Sequence, residues 1–317
     1  FSVYTPEQFW PFTPQLGALT FGQSVAHGVP LVNTAINAQL SAGNHVSVFG
    51  VSQSATILTD EIRNLTAEGS PGKGLLQFVL AGDPNNPDGG ILERFTGAYI
   101  PGLDVLFNGA TPSHSAYPVS IYTAQYDGVA DFPQYILNPV SDVNALAGFA
   151  FIHGSAYGSP GFVQNASPLA TSQGYTGSTS YYMTLTQNLP ILDPIRMLGG
   201  GPLADLLQPD LRVIVDMGYG SNQYADIPTP ASLIEIPNLP VIVPDLAHGA
   251  VQGLHAAGVD LGILPHSDYP SGYPFNPVLN PGLNYPLPQH SVTGVSQATT
   301  FEGQLLKALG LVPSWDQ

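Results

Sequence analysis

The chain has no cysteine, which excludes disulfide frameworks, thiol nucleophiles and thiolate metal sites. The absence leaves the compartment open, because cytosolic proteins and some exported ones both manage without disulfides. Charge is scarce as well. Asp, Glu, Lys and Arg make up 9% of the residues against about 25% in ordinary globular proteins. Ser, Thr, Asn, Gln, Gly, Pro and Tyr must therefore cover the surface, which suits an exported protein or one working beside lipid. Cations are scarcest: 6 Lys and Arg face 22 Asp and Glu, for a net charge of −16. Nucleic-acid binding needs basic residues to neutralise phosphates, and so do anionic membranes. The balance argues against both and against highly phosphorylated substrates, while neutral lipids and esters stay compatible. No run approaches 18 uninterrupted apolar residues, so no transmembrane helix is expected. The chain opens at Phe1-Ser2-Val3-Tyr4 without a start methionine or a charged-then-apolar leader; a fragment or processed form of something longer is expected.

Hydrophobic content of 44% over 317 residues is ordinary for a globular chain and can bury one large core or two modest ones. Residues 1 to about 185 alternate helix and strand signals. Apolar residues Val25, Val29, Val32, Ile36 and Leu40 recur near helical spacing across Gly22 to Leu40. Val46 to Phe49 reads as a short, buried, central strand, Leu75 to Leu80 as a second and Val119 to Tyr122 as a third. Such alternation predicts an α/β fold, a mostly parallel sheet with helices on both faces. Beyond about 186 proline becomes frequent, from Pro190 to Pro244. Two readings stand: an irregular wrap around the core, or a cap over the site built from Leu189 to Leu198 and Leu203 to Leu207. Residues 265–290 read as surface loop and 299–311 as a closing amphipathic helix, all within a single domain over 1–317.

The most informative stretch is His45-Val46-Ser47-Val48-Phe49-Gly50-Val51-Ser52-Gln53-Ser54-Ala55. A strand that ends abruptly, a serine at the apex and a helix running on to about Leu65 make a nucleophile elbow, with the Ser52 hydroxyl raised above the sheet. The first backbone N–H groups of the helix, Gln53 foremost, would face negative charge forming on a bound acyl group. Gly-x-Ser-x-small also occurs around Ser24 and Ser296. Ser24 looks like a helix start after a Pro- and Gly-broken stretch, and Ser296 lies too near the C-terminus to leave room for partners. The plainer alternative for Ser52 is an ordinary helix-capping serine.

A serine hydroxyl needs an imidazole to take its proton and a carboxylate to orient that imidazole. In the order Ser, acid, His, the acid is sought just after a strand. Asp127 in Tyr126-Asp127-Gly128 follows the third strand directly, with a glycine for the turn. Asp131 competes, or else caps the segment after it. His153 follows an apolar helix-like run and is flanked by glycine. His248, His255, His266 and His290 are downstream alternatives, whereas His27, His45 and His114 precede the acid. His248 and His255 are seven apart, the wrong spacing for a zinc pair, and no third ligand is evident. Neither a metal nor a cofactor is expected.

Taken together, Thr5-Pro6-Glu7-Gln8-Phe9-Trp10-Pro11, Gly50 to Ala55, Gln125 to Pro133 and the His153 segment resemble the PE-PPE C-terminal domain family over most of residues 5 to 226. The resemblance implies an α/β-hydrolase fold related in layout to cutinases and lipases, and esterase or lipase activity on acyl esters through Ser52, Asp127 and His153. It also implies export to a lipid-rich cell envelope with peripheral contact to lipid. Some relatives are thought to transfer acyl chains to sugars instead of water, so acyl transfer is the first rival, and a non-catalytic envelope module the second. The strand and glycine-rich loop expected before Thr5, the source of the second oxyanion donor, are missing here.

Overall fold

The computed structural model describes residues 2–220, 224–234 and 236–271. The expected closing helix at 299–311, Ser296 and His290 lie outside the described residues. In chain order, α1 (Phe21–Ser41) leads into β1 (Val46–Val51), α2 (Gln53–Ala67) and β2 (Leu76–Ala81). A short helix α3 (Ile91–Arg94) and a hairpin of β3 (Tyr99–Ile100) and β4 (Val105–Leu106) precede β5 (Val119–Ala124). Next comes α4 (Pro139–Gly148), which runs on as a π-helical turn over Phe149–His153, then β6 (Ser167–Pro168) and β7 (Thr179–Thr184). Helices α5 (Asp193–Met197), α6 (Gly201–Asp216) and α7 (Leu239–Asp260) complete the order.

The main sheet has the order β1-β2-β5-β7-β6. Its first three pairings are parallel, and only the short β6 runs antiparallel. Side chains alternate across a strand, so the two faces build two cores. Leu76, Phe78, Leu80, Val119, Ile121 and Tyr181 point to one face and pack on Val32, Ile36, Ile57, Leu58 and Ile62 of α1 and α2. Tyr122 and Tyr182, stacked 4.7 Å apart, lie on the other face; Tyr122 joins a cluster of Ala124, Tyr126, Ile152, Leu192, Ala204 and Val215. Each fully buried Leu, Ile or Phe contributes about 1.5–3 kcal/mol. This is the expected α/β-hydrolase-type arrangement, a mostly parallel sheet between helices.

One expectation needs correcting. The β1 strand is not central: among the described residues it has a neighbour on one side only, and Phe49 is 62% exposed. An apolar run marks a strand that could be covered on both faces; it says nothing about which strands flank it. The proline-rich stretch carries helices α5, α6 and α7, and the described residues between α6 and α7, with Pro228, Pro230 and Pro237, are turns and loop. Pro194, Pro202 and Pro240 stand in the first turns of α5, α6 and α7, where a missing N–H costs nothing and a fixed φ favours the helix. Pro209 and Pro244 lie inside α6 and α7, and these two helices pack extensively on one another.

Candidate active site

Ser52 sits between β1 and α2 with φ 56° and ψ −121°, a conformation that costs a non-glycine residue about 1–3 kcal/mol. The surroundings impose it. The Ser52 N–H donates to the Ala81 carbonyl of β2 at 3.0 Å, while α2 begins at the very next residue. Gly50 makes the sharp reversal possible, since a Cβ there would lie 2.9 Å from the Ser54 backbone and from Leu58 Cδ1. Although Ser52 occupies the N-cap position of α2, its side chain makes no capping bond. The hydroxyl is turned elsewhere.

Its Oγ lies 2.7 Å from His153 Nε2. His153 Nδ1 lies 2.9 and 2.8 Å from the two oxygens of Asp127. The imidazole side chain is 10% exposed and the carboxylate fully buried. Asp127 is set just past β5 by a turn in which Tyr126 takes φ 65°, and its Oδ1 also accepts the Val129 N–H at 2.8 Å. His153 is carried in by α4 and ends the π-helical turn, so the apolar run of the sequence does deliver it. Phe149, one turn earlier, lies face to face with the imidazole, centroids 6.0 Å apart at 25°, and is itself exposed.

Asp131 goes elsewhere. Its Oδ2 accepts the Tyr126 N–H at 2.7 Å, so it braces the acid turn from behind instead of capping the downstream segment. Burial pushes it up to about 8, with the Asp88 and Asp127 charges adding and Arg94 opposing. Among the described histidines only His153 hydrogen-bonds the Ser52 hydroxyl. His248 and His255 lie along α7, His114 packs edge-on to Tyr175, and Ser24 is buried within α1. No group of three or more His, Cys, Asp or Glu among the described residues could hold a metal ion.

Gln53 is buried, and its side chain is tied at both ends. Its Oε1 accepts the Ser24 hydroxyl at 2.7 Å and its Nε2 donates to the Gln8 carbonyl at 2.9 Å. Its backbone N–H, at the first position of α2, has no acceptor among the described residues. The neighbouring Ser54 hydroxyl donates to Glu7 Oε1 at 2.7 Å, and Glu7 has φ 51°. The segment around Glu7 and Gln8 thus braces the elbow. Sequence reasoning missed that role, and it also missed Tyr157, whose hydroxyl reaches Asp127. The one signal for Tyr157 was its place four residues after His153.

The PE-PPE domain matches residues 1–220 of this chain. The chain belongs to the PE-PPE domain family. Family members in Mycobacterium tuberculosis include PE family protein PE3, 50% identical over 98% of this chain and 66% of its own length. Esterase PE16 is 46% identical over 79% of this chain and 48% of its own length. The SL1278 acyltransferase Chp1 is 30% identical over 68% of this chain and 53% of its own. The chain therefore spans less than two thirds of the length of these curated relatives. No solved structure matches it. Among the described residues no helix is long and apolar enough to cross a membrane.

Proposed function

We propose that this PE-PPE domain is a serine carboxylic ester hydrolase, an esterase or lipase working through Ser52, His153 and Asp127. One observation carries the reading: the unbroken hydrogen-bonded run from the Ser52 hydroxyl through both imidazole nitrogens to the Asp127 carboxylate, with the serine held out of any capping role. His153 Nε2 takes the hydroxyl proton as Oγ attacks the ester carbonyl carbon. The carbonyl oxygen becomes an oxyanion beside the Gln53 N–H, where the start of α2 offers positive partial charge. The imidazolium, held by Asp127, gives its proton to the leaving alkoxide, and an alcohol departs from an acyl-Ser52. Water then loses a proton to His153 and attacks the acyl carbon; the acid is released and Oγ is reprotonated.

The rim points to the substrate class. Phe149 on the imidazole, with exposed Leu146 and Phe151 nearby, offers apolar contact to an acyl chain, and the net charge of −16 disfavours polyanionic esters. The same balance weighs against a nucleic-acid partner. The low charge and the PE-PPE membership fit export to a lipid-rich cell envelope. Over residues 1–317 a single catalytic domain is proposed, with the described part of the 186–290 stretch, up to 271, as its cap or wrap; 272–290 lie outside the described residues. A cap of this kind should raise turnover several-fold when a soluble ester is replaced by an emulsified one, and equal rates on the two would count against it.

Ser52→Ala should lower p-nitrophenyl ester turnover by at least about 10³-fold while leaving the circular dichroism spectrum unchanged. A fluorophosphonate probe should label the wild type at Ser52 and leave the variant bare. Unchanged turnover would sink the assignment, and a wild type that resists the probe would favour a non-catalytic module. The name of the Chp1 relative favours a second reading, acyl transfer to a sugar or alcohol in place of water. Product analysis with an added acceptor separates the two.

A further inference from the structure

The Asp127 carboxylate has one more partner than a serine–histidine–acid run requires. Its Oδ1 takes the Val129 N–H; its Oδ2 faces His153 Nδ1 and accepts the hydroxyl of Tyr157. The same phenol oxygen accepts the N–H of Ala124, the last residue of β5, at 3.2 Å. A line of hydrogen bonds therefore runs from the sheet backbone through the phenol to the carboxylate oxygen opposite the imidazole.

The packing around the ring fixes that line. Tyr157 is edge-on to His153, centroids 6.0 Å apart at 75°, and edge-on to Phe162 at 5.0 Å. Beneath both rings lies Gly82, with φ +57°. A Cβ there would stand 2.7 Å from Tyr157 Cε2 and 3.2 Å from His153 Cε1, so the two rings occupy space that a side chain at 82 would fill. Desolvation and the neighbouring Asp127 charge push the phenol well above its ordinary range. It stays a hydrogen-bond donor across the working pH.

We infer that Tyr157 is a positioning residue: its hydroxyl fixes the rotation of the Asp127 carboxylate toward His153 Nδ1 and draws off part of the carboxylate's charge. The inference rests on the proposed serine chemistry and goes beyond it by adding a fourth side chain that sets the strength of the acid–imidazole pairing. A purely structural Tyr157 would tie its loop to β5 through the Ala124 N–H and Phe162 and have no electrostatic effect.

Tyr157→Phe keeps the ring and deletes the bond. The expected result is a 10- to 100-fold loss in kcat, of the order found when the group orienting a functional ligand is removed, with KM within about twofold. The acid limb of the kcat/KM profile should also move to higher pH by about half a unit. Charge sets the direction: a carboxylate no longer shared with a phenol holds an imidazolium more strongly, so the imidazole keeps its proton to higher pH. The charged or titratable groups packed around the pair are Asp127, Tyr157 and Asp131, with Asp88 and Arg94 behind Asp131. In an Asp127→Asn background the same substitution should cost nothing further. Phe162→Leu, which loosens the ring but keeps its hydroxyl, should leave the acid limb in place. If Tyr157→Phe does not fold, 3-fluorotyrosine at position 157, a stronger donor of nearly the same shape, should move the limb the opposite way, to lower pH. An unmoved limb, or an equal loss in the Asp127→Asn background, overturns the inference while leaving the serine reading intact. Full activity of Ser52→Ala would instead remove the reading beneath it.

Discussion

The serine's turn is made by residues adjacent in sequence, Gly50 to Gln53, whereas the acid comes from the turn after β5 and the imidazole from the end of the π-helical turn after α4, and the two meet through side-chain hydrogen bonds. At the elbow, the backbone does the work. A glycine, a strained serine and the first turn of α2 set the hydroxyl, and the N-terminal segment braces them through Gln8 and Glu7. In the acid–histidine arm, Asp127, His153 and Tyr157 each rely on partners outside their own turn. In the proposed serine chemistry the elbow is therefore an all-or-none device, since that chemistry forms its acyl-enzyme on the Ser52 hydroxyl. The arm is graded, because each hydrogen bond contributes to orientation and charge and can be weakened by itself.

The largest effect that sharpens this contrast, after loss of the Ser52 hydroxyl, is Asp127→Asn. An amide can present its NH₂ to His153 Nδ1 and stabilise the wrong tautomer, leaving Nε2 protonated and unable to accept the serine proton. The expected loss in kcat is about 10³–10⁴-fold with the fold intact, and slow residual labelling of Ser52 by the fluorophosphonate probe should persist. A loss below tenfold would mean that the arm is dispensable and the elbow acts alone.

The same division explains what could be read from the sequence. Val46 to Ala55 announces the elbow because strand, turn and helix signals are local, and the glycine at 50 stands where the backbone must pass close to Ser54. Asp127 was legible from its place just after a strand. Pattern favoured it over Asp131 only through that place and the glycine beside it; both are buried acids in one turn, and the outcome depends on which faces a histidine arriving from α4. Tyr157, Glu7 and Gln8 act through contacts across the fold, for which a sequence carries no periodic signal. The edge position of β1 was hidden because an apolar strand looks alike at the edge and at the centre of a sheet. The helices after 190 were masked by prolines that begin helices as readily as they end them.

The smallest effect concerns the second acid of the same turn. Asp131 is buried against the Tyr126 N–H and raised from 3.8 to about 8 in the folded chain, so near neutral pH it is mostly uncharged. Asparagine can accept the same N–H, and Asp131→Asn should keep activity within about threefold, unlike its neighbour four residues earlier. Stability should change with a definite sign. Between the ordinary carboxylate value and about 8, the unfolded chain releases the Asp131 proton and the folded chain keeps it, so rising pH favours unfolding of the wild type. The variant lacks that release. Its melting temperature should match the wild type near pH 4, rise above it progressively, and lead by about 2 °C or more at pH 8, where the gap levels off. Thermal melts at unit pH intervals test this. A gap that is already open at pH 4, or that narrows toward pH 8, would mean that Asp131 serves the arm as a charge, and the division between one working acid and one structural acid would fail.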